Sequence, residues 1–482
     1  MAASKYVLSV DIGTSSLKAA CISLDGQVSA FARTPYAPKT PGGIVEAGDW
    51  ERALFLAIGS LSTQAPEVKP AAICISGNGP TLAPVTASGA SLAPLHWFGA
   101  AAAPSGRSFF LPHVVRFREE RPGDYEKTAR FLSAQEWLSW RLGADPVTVL
   151  PSAAYEPYYW DDAQCAALAL DRGKFAPFVQ MGSVIGRIAS PSAAAWALPQ
   201  GIPIIAGGPD FSMALIGVGA IEPGLVCDRA GSSEGINVCC TASAAEELTA
   251  ISTGALRILP HVREGFWNVG AVLPASGSLF EWFRTISGQD SRDYEAVMGE
   301  IGVLADTRLS AAGALAWSAK AVAAPLTPSP DGAFLFPAIG GTAGGSALVS
   351  SRGLPGRAEL GLAVLESIGC MVRDAIAALE QRGFPVRELR LSGGQAKSPC
   401  WNQLKADMIG RTLLVPELCD GELAGDACVS AIALGEAADL TQAVQRIVRL
   451  KDRAVPRSGA AAFYDERYAR YKELKAKAGG LW

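Results

Sequence analysis

Residues 6–18 read YVLSVDIGTSSLK, an apolar strand that ends in a carboxylate, a glycine and three hydroxyl side chains. Open α/β sheets bind ligands at the carboxyl ends of strands, and Gly13 lets the backbone approach a ligand closely. The N–H groups and hydroxyls of residues 14–16 can donate hydrogen bonds to phosphate oxygens. Asp11 offers the hard oxygen ligand that a hydrated magnesium ion requires. The stretch predicts a phosphate-binding hairpin, with a tight turn capped by Asp and Ser as the alternative.

Length and composition limit the class of protein. A chain of 482 residues exceeds one ordinary hydrophobic core, so two domains are expected. With 49% hydrophobic and 18% charged residues it is a folded globular chain, and a net charge of -4 gives no basic field for nucleic acid. The most apolar long stretch, residues 202–221, is interrupted by Pro209 and Asp210. We therefore expect neither a nucleic-acid partner nor a membrane partner.

The cysteines and histidines indicate the compartment. Ten cysteines are scattered without a Cys-x-x-Cys pair, and no basic head with an apolar run opens the chain. Reduced thiols and a cytoplasmic location are the expectation. The three histidines, His96, His113 and His261, are far apart in sequence, so neither a histidine-based zinc site nor a Ser-His-Asp triad is expected.

An α/β unit follows the opening hairpin. Residues 18–22 and 27–33 predict two further strands and hence a meander of three, in which Lys18 is expected to be solvated. Helical spacing of apolar residues predicts a helix from Asp49, with Asp49 as its N-cap. Residues 71–76 predict a short buried strand, which completes the α/β unit.

The opening pattern recurs in the second half. Residues 202–210 predict a strand that ends in GGPD, and an apolar helix over 211–219 follows. Residues 225–238, LVCDRAGSSEGINV, then repeat the order of strand, Gly-Ser turn and strand. The repetition indicates duplicated halves, so we predict one domain over residues 1–223 and a second over 224–482.

Other elements are predicted from periodicity alone. Apolar residues over 130–142 predict a helical core face that includes Phe131 and Leu132. In the second half we expect helices over 362–381 and about 425–437, strands over 388–392 and 412–416, and a Gly-Gly turn between a strand and a helix. Three tyrosines of the last helix, at 464, 468 and 471, are expected to dock on the core.

Four elements require one chemical explanation: Asp11 with its hydroxyl turn, Asp210 after a strand, the Gly231 turn and the Gly393 turn. Phosphoryl transfer from ATP needs this set, because positioning and charge neutralisation stabilise its transition state. The turns can hold phosphates, one carboxylate can serve magnesium, and a second can take the acceptor proton. Asp210 is the candidate base, and a helix N-cap is the alternative role for it.

At these motifs the chain resembles the FGGY family of carbohydrate kinases. The resemblance covers nearly the whole chain and is strongest at residues 11–18, 43–50, 207–210 and 391–401 and in the closing tyrosine-rich helix. It implies an α/β fold of two actin-like (ribonuclease H-like) ATPase domains flanking a central cleft. It also implies ATP with Mg2+, a small-molecule sugar or polyol as acceptor, and a possible homodimer.

The resemblance assigns roles residue by residue. Asp210 corresponds to the catalytic base, and Asp11 and Asp210 to the magnesium-associated carboxylates. The nucleotide-binding positions are Gly13, Thr14, Ser15, Gly231, Ser232, Gly393, Gly394 and Gln395. The substrate-binding positions are Asn78, Trp97, Asp210 and Phe211. A left-handed turn at Asn78, and a core role for Trp97 and Phe98, are the alternatives.

The acceptor side departs from the family pattern. Asn78-Gly79-Pro80 stands where xylulose-kinase-like members carry Gln-Met-His, and HWFGAA, residues 96–101, stands where they carry Trp-x-Asp-x-Arg. Residues 340–345, GGTAGG, replace a Gly-Glu-Arg segment. Because sugars are recognised by buried polar groups, these changes should alter or abolish binding of a xylulose-like substrate. A catalytically silent nucleotide- or sugar-binding protein is therefore one alternative function. An actin- or chaperone-like ATPase is another.

Overall fold

The computed structural model describes residues 5–36, 44–99, 101–102, 106–189, 198–249, 256–273, 275–311, 333–336, 347–350 and 354–478. The chain forms two compact units. The first comprises Met1–Ile221, Leu259–Phe266 and Asp420–Arg449; the second comprises Glu222–Ile258, Trp267–Cys419 and Leu450–Trp482. The chain first passes from the first unit into the second after Ile221, close to the boundary predicted at residue 223. Two later segments, Leu259–Phe266 and Asp420–Arg449, belong to the first unit again. The division at 223 stays a prediction.

The first unit is built on a mixed sheet. Its strands are β1 (Tyr6–Ile12), β2 (Ser16–Ser23), β3 (Val28–Pro35), β4 (Pro70–Gly77), β5 (Leu82–Thr86), β6 (Thr128–Ser133), β7 (Thr148–Leu150), β8 (Phe178–Gln180), β9 (Val184–Arg187) and β10 (Pro203–Pro209). The central sheet has the order β3-β2-β1-β4-β10-β9. β1, β2 and β3 pair antiparallel, which confirms the predicted meander, and β1, β4 and β10 run parallel.

The second unit repeats this arrangement. Its strands are β11 (Val226–Ala230), β12 (Glu234–Thr241), β13 (Leu256–Pro260), β14 (Phe266–Leu273), β15 (Phe334–Phe336), β16 (Ala347–Val349), β17 (Glu388–Ser392), β18 (Thr412–Pro416) and β19 (Leu450–Ala454). The main sheet has the order β13-β14-β12-β11-β17-β18-β19. β11 and β12 form an antiparallel hairpin. β17 pairs parallel with β11, β18 pairs parallel with β17, and β19 pairs antiparallel with β18. The first unit has the same order of pairings: the hairpin β1–β2, then β4 and β10 in parallel, then β9 antiparallel. This agreement is expected for duplicated halves.

Helices cover the sheets. They are α1 (Ala47–Gln64), α2 (Leu111–Glu120), α3 (Pro122–Lys127), α4 (Ala134–Leu142), α5 (Glu156–Tyr159), α6 (Asp162–Ala167), α7 (Asp210–Gly217), α8 (Ala242–Thr249), α9 (Gly277–Ile286), α10 (Tyr294–Ala311), α11 (Arg357–Glu380), α12 (Pro399–Ile409), α13 (Gly421–Ala433), α14 (Leu440–Ile447) and α15 (Ala460–Ala478). Short 3-10 turns cover Ala153–Tyr155, Arg172–Lys174 and Gly394–Lys397. On α15, Tyr464 and Tyr471 are buried, as expected for docking on the core.

Two local predictions are wrong. Asp49 is not the N-cap of α1: Glu46 takes that position, and Asp49 Oδ2 accepts a hydrogen bond from the Glu46 N–H at 2.8 Å. The helix predicted over 130–142 begins only at Ala134, because Phe131 and Leu132 belong to β6, which pairs antiparallel with β5. Apolar neighbours such as these fit either period, so pairing with a distant strand decided the structure.

Two glycine contacts allow α7 and α13 to pack closely in the first unit. A Cβ on Gly217 would lie 1.8 Å from the Gly421 carbonyl oxygen, and one on Gly425 would lie 2.2 Å from the Met213 carbonyl oxygen. Because α7 begins at Asp210, this backbone contact helps to fix the position of that carboxylate.

We expect Gly217→Ala to destabilise the first unit by about 1–3 kcal/mol, because the helices must separate to admit a methyl group. Gly59→Ala is the matched control: Gly59 lies within α1 with no atom near its added Cβ, so alanine should stabilise the helix by roughly 0.5–1 kcal/mol. Thermal unfolding measures both variants. A Gly217→Ala protein that melts at or above the wild-type temperature would contradict the packing argument.

Candidate active site

Two carboxylates lie at the ends of parallel strands of the first unit, at the same edge of the sheet. Asp11 on β1 is in register with Ser76 of β4, and Pro209 on β10 is in register with Gly77. β4 separates the two strands, so their backbones are roughly 10 Å apart at two interstrand spacings. Asp210 begins the helix that follows β10. The sheet therefore brings Asp11 and Asp210, predicted from separate motifs, to one edge.

Asp11 belongs to a buried ionic cluster with Lys18. The Lys18 ammonium lies 3.4 Å from Asp11 Oδ2, 3.1 Å from Asp420 Oδ1 and 3.9 Å from Glu422 Oε2. Burial alone would lower the pKa of Lys18, but the charges of Glu422, Asp11 and Asp420 outweigh it and raise that pKa. The expectation that Lys18 is solvated is wrong, because two of its partners, Asp420 and Glu422, come from a segment that rejoins this unit late in the chain.

A second carboxyl group lies behind Asp11. Asp426, on α13, is fully buried, with its Oδ2 3.1 Å from Ser76 Oγ and its Oδ1 3.5 Å from Cys74 Sγ. Burial, and next the charge of Asp11, raise the pKa of Asp426 well above its usual range. The charged form of Asp426 is therefore disfavoured at this buried position beside Asp11. The apolar helical pattern gave no sign of this carboxyl group.

The hydroxyl turn between β1 and β2 is tight and open to solvent. The Gly13 N–H donates to the Ser16 carbonyl oxygen at 3.1 Å, and a Cβ on Gly13 would lie 2.9 Å from that oxygen. Thr14 and Ser15 are exposed. A residue without a side chain is required at the bend, and the two hydroxyls that follow it are accessible to a ligand.

Asp210 is half-buried at the start of α7. Pro209 takes the N-cap position, so the alternative that Asp210 is the N-cap is wrong. Asp210 Oδ1 accepts a hydrogen bond from the N–H of the half-buried Phe211 at 2.6 Å, which orients the carboxylate. A Cβ on Gly207 would lie 2.1 Å from the Ile75 carbonyl oxygen, so this glycine permits β10 and β4 to approach closely just before the carboxylate.

The predicted acceptor residues lie at the same edge. The Asn78 N–H donates to the Ile12 carbonyl oxygen at 2.9 Å, and its side chain is 5% exposed. Trp97 contacts the hydroxyl turn, because its Nε1–H donates to Thr14 Oγ1 at 3.3 Å. Trp97 is 44% exposed and Phe98 57%, so the alternative that they are core residues is wrong. Gly340 and the rest of 340–345 lie outside the described residues.

Two buried carboxamide oxygens are available near Gly77. Asn78 Oδ1 and Gln135 Oε1 have no hydrogen-bond partner among the residues that the structure describes. Gln135, at the start of α4, is 3% exposed, and its Oε1 lies 2.7 Å from where a Cβ on Gly77 would be. A buried unpaired acceptor costs free energy, so both oxygens suit the hydroxyl of a bound molecule. The sequence gave no signal for Gln135.

In the second unit, Gly231 and Ser232 are exposed in the turn between β11 and β12. The N–H groups of Ser276 and Ser278 donate to the Ser232 carbonyl oxygen, at 3.1 and 3.0 Å. The Gly277 N–H donates to the Gly231 carbonyl oxygen at 3.1 Å. The start of α9 thus engages the carbonyl oxygens of the turn and fixes its orientation.

The Gly393 turn emerges beside the Gly231 turn. β17 runs parallel to β11 with Ser392 in register with Arg229, so the two turns leave neighbouring strands at one edge. Gly393 has a φ of 101°, and a Cβ there would lie 2.2 Å from the Ala230 carbonyl oxygen. Gly394 is exposed, with no atom within 4 Å of an added Cβ.

Gln395 is directed into the second unit. Its Oε1 accepts from Trp401 Nε1–H at 2.8 Å, and its Nε2 donates to Ser276 Oγ at 2.7 Å. The side chain is 8% exposed, so any contact of Gln395 with a nucleotide is expected from its backbone.

Magnesium is compatible with the first unit's carboxylates. Among the described residues, no group of three or more His, Cys, Asp and Glu side chains could hold a metal ion on its own. Mg2+ in nucleotide sites commonly uses one or two carboxylates together with substrate phosphates and water, so Asp11 and Asp210 suffice as donors. Within the same described part of the chain, no helix is long and apolar enough to cross a membrane.

Comparison with solved structures identifies the fold. Over 99% of both chains, the structure superposes on xylulose kinase from Rhodospirillum rubrum with a TM-score of 0.74 and 21% sequence identity. It superposes on Plasmodium falciparum glycerol kinase with ADP with a TM-score of 0.75 and 15% identity, covering 99% of this chain and 98% of that one. These likenesses confirm the predicted α/β fold of two actin-like domains.

Sequence comparison gives the family. Residues 107–217 match the N-terminal domain, and residues 230–434 the C-terminal domain, of the FGGY family of carbohydrate kinases. Xylulose kinase of Bacillus subtilis is 24% identical over 376 residues, 76% of this chain and 69% of that protein. The chain therefore belongs to the FGGY family of carbohydrate kinases.

Proposed function

We propose that this carbohydrate kinase transfers the terminal phosphoryl group of ATP to a hydroxyl of a sugar or polyol, with Asp210 as general base. The observation that supports the proposal most is the placement of Asp11 and Asp210 at one sheet edge. Asp11 lies on β1 and Asp210 directly follows β10, and these two strands flank β4. Two carboxylates at one edge of a sheet can serve a cation together, and one of them can also take a proton from an acceptor.

The nucleotide is proposed to bind through the glycine turns. Thr14 and Ser15 of the first unit, and Ser232 of the second, would donate hydrogen bonds to phosphate oxygens. Gly393 and Gly394 would provide a flat backbone surface for the adenosine. Asp11 and Asp210 would hold Mg2+ together with the phosphates, and the bound cation would neutralise the charge that develops on them.

In the proposed reaction, the Asp210 carboxylate takes the proton of the acceptor hydroxyl while the hydroxyl oxygen forms a bond to the γ-phosphorus. The bond between that phosphorus and the β,γ-bridging oxygen breaks, and ADP leaves with the bonding electrons. The Phe211 N–H holds the Asp210 carboxylate in one orientation.

The acceptor is proposed to bind beside Asn78 and Trp97. The unpaired oxygens of Asn78 and Gln135 would accept hydrogen bonds from two hydroxyls, and Trp97 would pack against the apolar face of the sugar. We further propose a cytoplasmic enzyme, on the basis of its free cysteines, and a homodimer, on the basis of family resemblance alone.

A panel of ketoses, aldoses and polyols, assayed with Mg-ATP and coupled detection of ADP, tests the proposal. At least one acceptor class is expected to accelerate ADP release far above the hydrolysis seen without acceptor, because a kinase protects ATP from water until the acceptor binds. Omission of magnesium is the control. Strong ATP hydrolysis that no acceptor changes would contradict the proposal.

A second candidate function is a catalytically silent protein of this fold that binds a nucleotide or a sugar. It is favoured by the substituted acceptor side, where Asn78-Gly79-Pro80 stands in place of Gln-Met-His and residues 96–101 have neither the acid nor the base of Trp-x-Asp-x-Arg. Calorimetric binding of ADP, together with failure of every acceptor in the panel, would favour this candidate over the kinase.

A further inference from the structure

A buried lysine joins both strands of the Gly231 turn. Lys405, on α12, is 1% exposed, and its ammonium donates to Asp228 on β11 and to Glu234 at the start of β12. Asp228 precedes the turn and Glu234 follows it, and both are essentially fully buried. One ammonium therefore holds the two ends of the predicted phosphate-binding turn together.

The same network reaches the Gly393 turn. Glu234 accepts a second hydrogen bond from Ser276, the residue before α9, and Ser276 Oγ accepts from Gln395 Nε2 at 2.7 Å. Gln395 Oε1 in turn accepts from Trp401 Nε1–H at 2.8 Å. Because Trp401 and Lys405 lie one helical turn apart on α12, the contacts form a closed ring.

The charges in this ring are coupled. Burial raises the pKa of Asp228, and the Glu234 carboxylate raises it further, although Lys405 opposes both effects. Burial would lower the pKa of Lys405, but Asp228 and Glu234 outweigh it. Removal of Lys405 would leave a carboxylate buried without its cation, which is costly.

A buried ion pair by itself is weak evidence for stability, since apolar residues often replace one without loss. What distinguishes this ring is its position. It contains no exposed side chain, yet Asp228 and Glu234 lie on the two strands that flank the Gly231 turn. The Ser276 N–H donates to the Ser232 carbonyl oxygen, and Gln395 follows Gly393 by two residues.

We propose that Lys405, with Asp228, Glu234, Ser276 and Gln395, forms a positioning unit that holds the Gly231 and Gly393 turns in the spacing needed to bind a nucleoside diphosphate moiety. The inference rests on the proposed nucleotide-binding role of these turns. Lys405 acts through the turns and does not contact the nucleotide.

The test compares Lys405→Met with Arg467→Met, a matched control. Arg467 forms a similarly buried ion pair with Glu366 elsewhere in the second unit, with 4% and 6% side-chain exposure. Both variants should melt at lower temperature. Lys405→Met should weaken binding of Mg-ADP, measured by calorimetry, by about ten- to a hundredfold, because small displacements of positioning groups have effects of that size. Arg467→Met should bind Mg-ADP as the wild type does.

A double variant, Lys405→Met with Glu234→Gln, separates positioning from folding. It removes both the cation and the carboxylate charge left behind, so it should recover thermal stability while Mg-ADP binding stays weak. The inference would be overturned if the double variant bound Mg-ADP with wild-type affinity. It would also be overturned if Arg467→Met weakened Mg-ADP binding as much as Lys405→Met does. A wild-type protein that binds no nucleotide would overturn the inference and the nucleotide side of the proposed function together. A wild type that binds Mg-ADP but phosphorylates no acceptor contradicts the proposed reaction alone.

Discussion

Asp210→Asn is expected to lower kcat by a factor of about 10²–10⁴, the usual contribution of a general base. Asparagine has the size of aspartate and its carbonyl oxygen can still accept the Phe211 N–H, so the start of α7 should be retained. The amide cannot take the acceptor proton. The loss should therefore appear in kcat, while the melting temperature and the affinity for ADP measured without magnesium stay close to those of the wild type.

The matched control for this variant is Asp162→Asn. Asp162 is also the first residue of a helix, α6, but its side chain is 92% exposed and pairs with Arg172 on the surface. It should leave kcat and stability unchanged, because surface ion pairs contribute little. Steady-state rates with the best acceptor of the panel measure both variants. Full activity of Asp210→Asn would remove Asp210 from the proposed role.

Local pattern was sufficient to predict much of the fold. The strand over 388–392 was predicted with its observed limits, and so was the strand over 412–416, because short apolar runs bounded by turn residues leave few alternatives. Phe131 and Leu132 were misassigned because their apolar spacing fits a helix, while pairing with β5 makes them a strand. Secondary structure of such short segments depends on tertiary partners that periodicity does not contain.

The carboxylates of the candidate site could be predicted from the sequence, but the lysines around it could not. Asp11 and Asp210 could be expected because each directly follows an apolar strand, and parallel strands end at one edge. Lys18 was misjudged because Asp420 and Glu422, its partners, are distant in sequence. Lys405 also has no local signal, since its partners lie on strands that precede it by more than a hundred residues. Ion pairs between distant segments follow from the completed fold.

Gly393→Ala is expected to cost more than about 2 kcal/mol of stability and to abolish measurable binding of Mg-ADP. The residue has a φ of 101°, which a side chain disfavours, and its Cβ would lie 2.2 Å from the Ala230 carbonyl oxygen. Either the turn or the end of β11 must move. Because β11 leads directly into Gly231, both predicted nucleotide-binding turns would be displaced together.

Gly394→Ala separates this effect from a direct contact with the nucleotide. An added Cβ at Gly394 meets no atom within 4 Å, and its φ lies outside the left-handed region. We expect the melting temperature to be unchanged, while Mg-ADP binds more weakly because the methyl group would intrude on the surface proposed for the adenosine. Thermal unfolding and calorimetry give both quantities. If Gly394→Ala bound Mg-ADP as tightly as the wild type, the adenosine would have to lie elsewhere, even if Gly393→Ala behaved as expected.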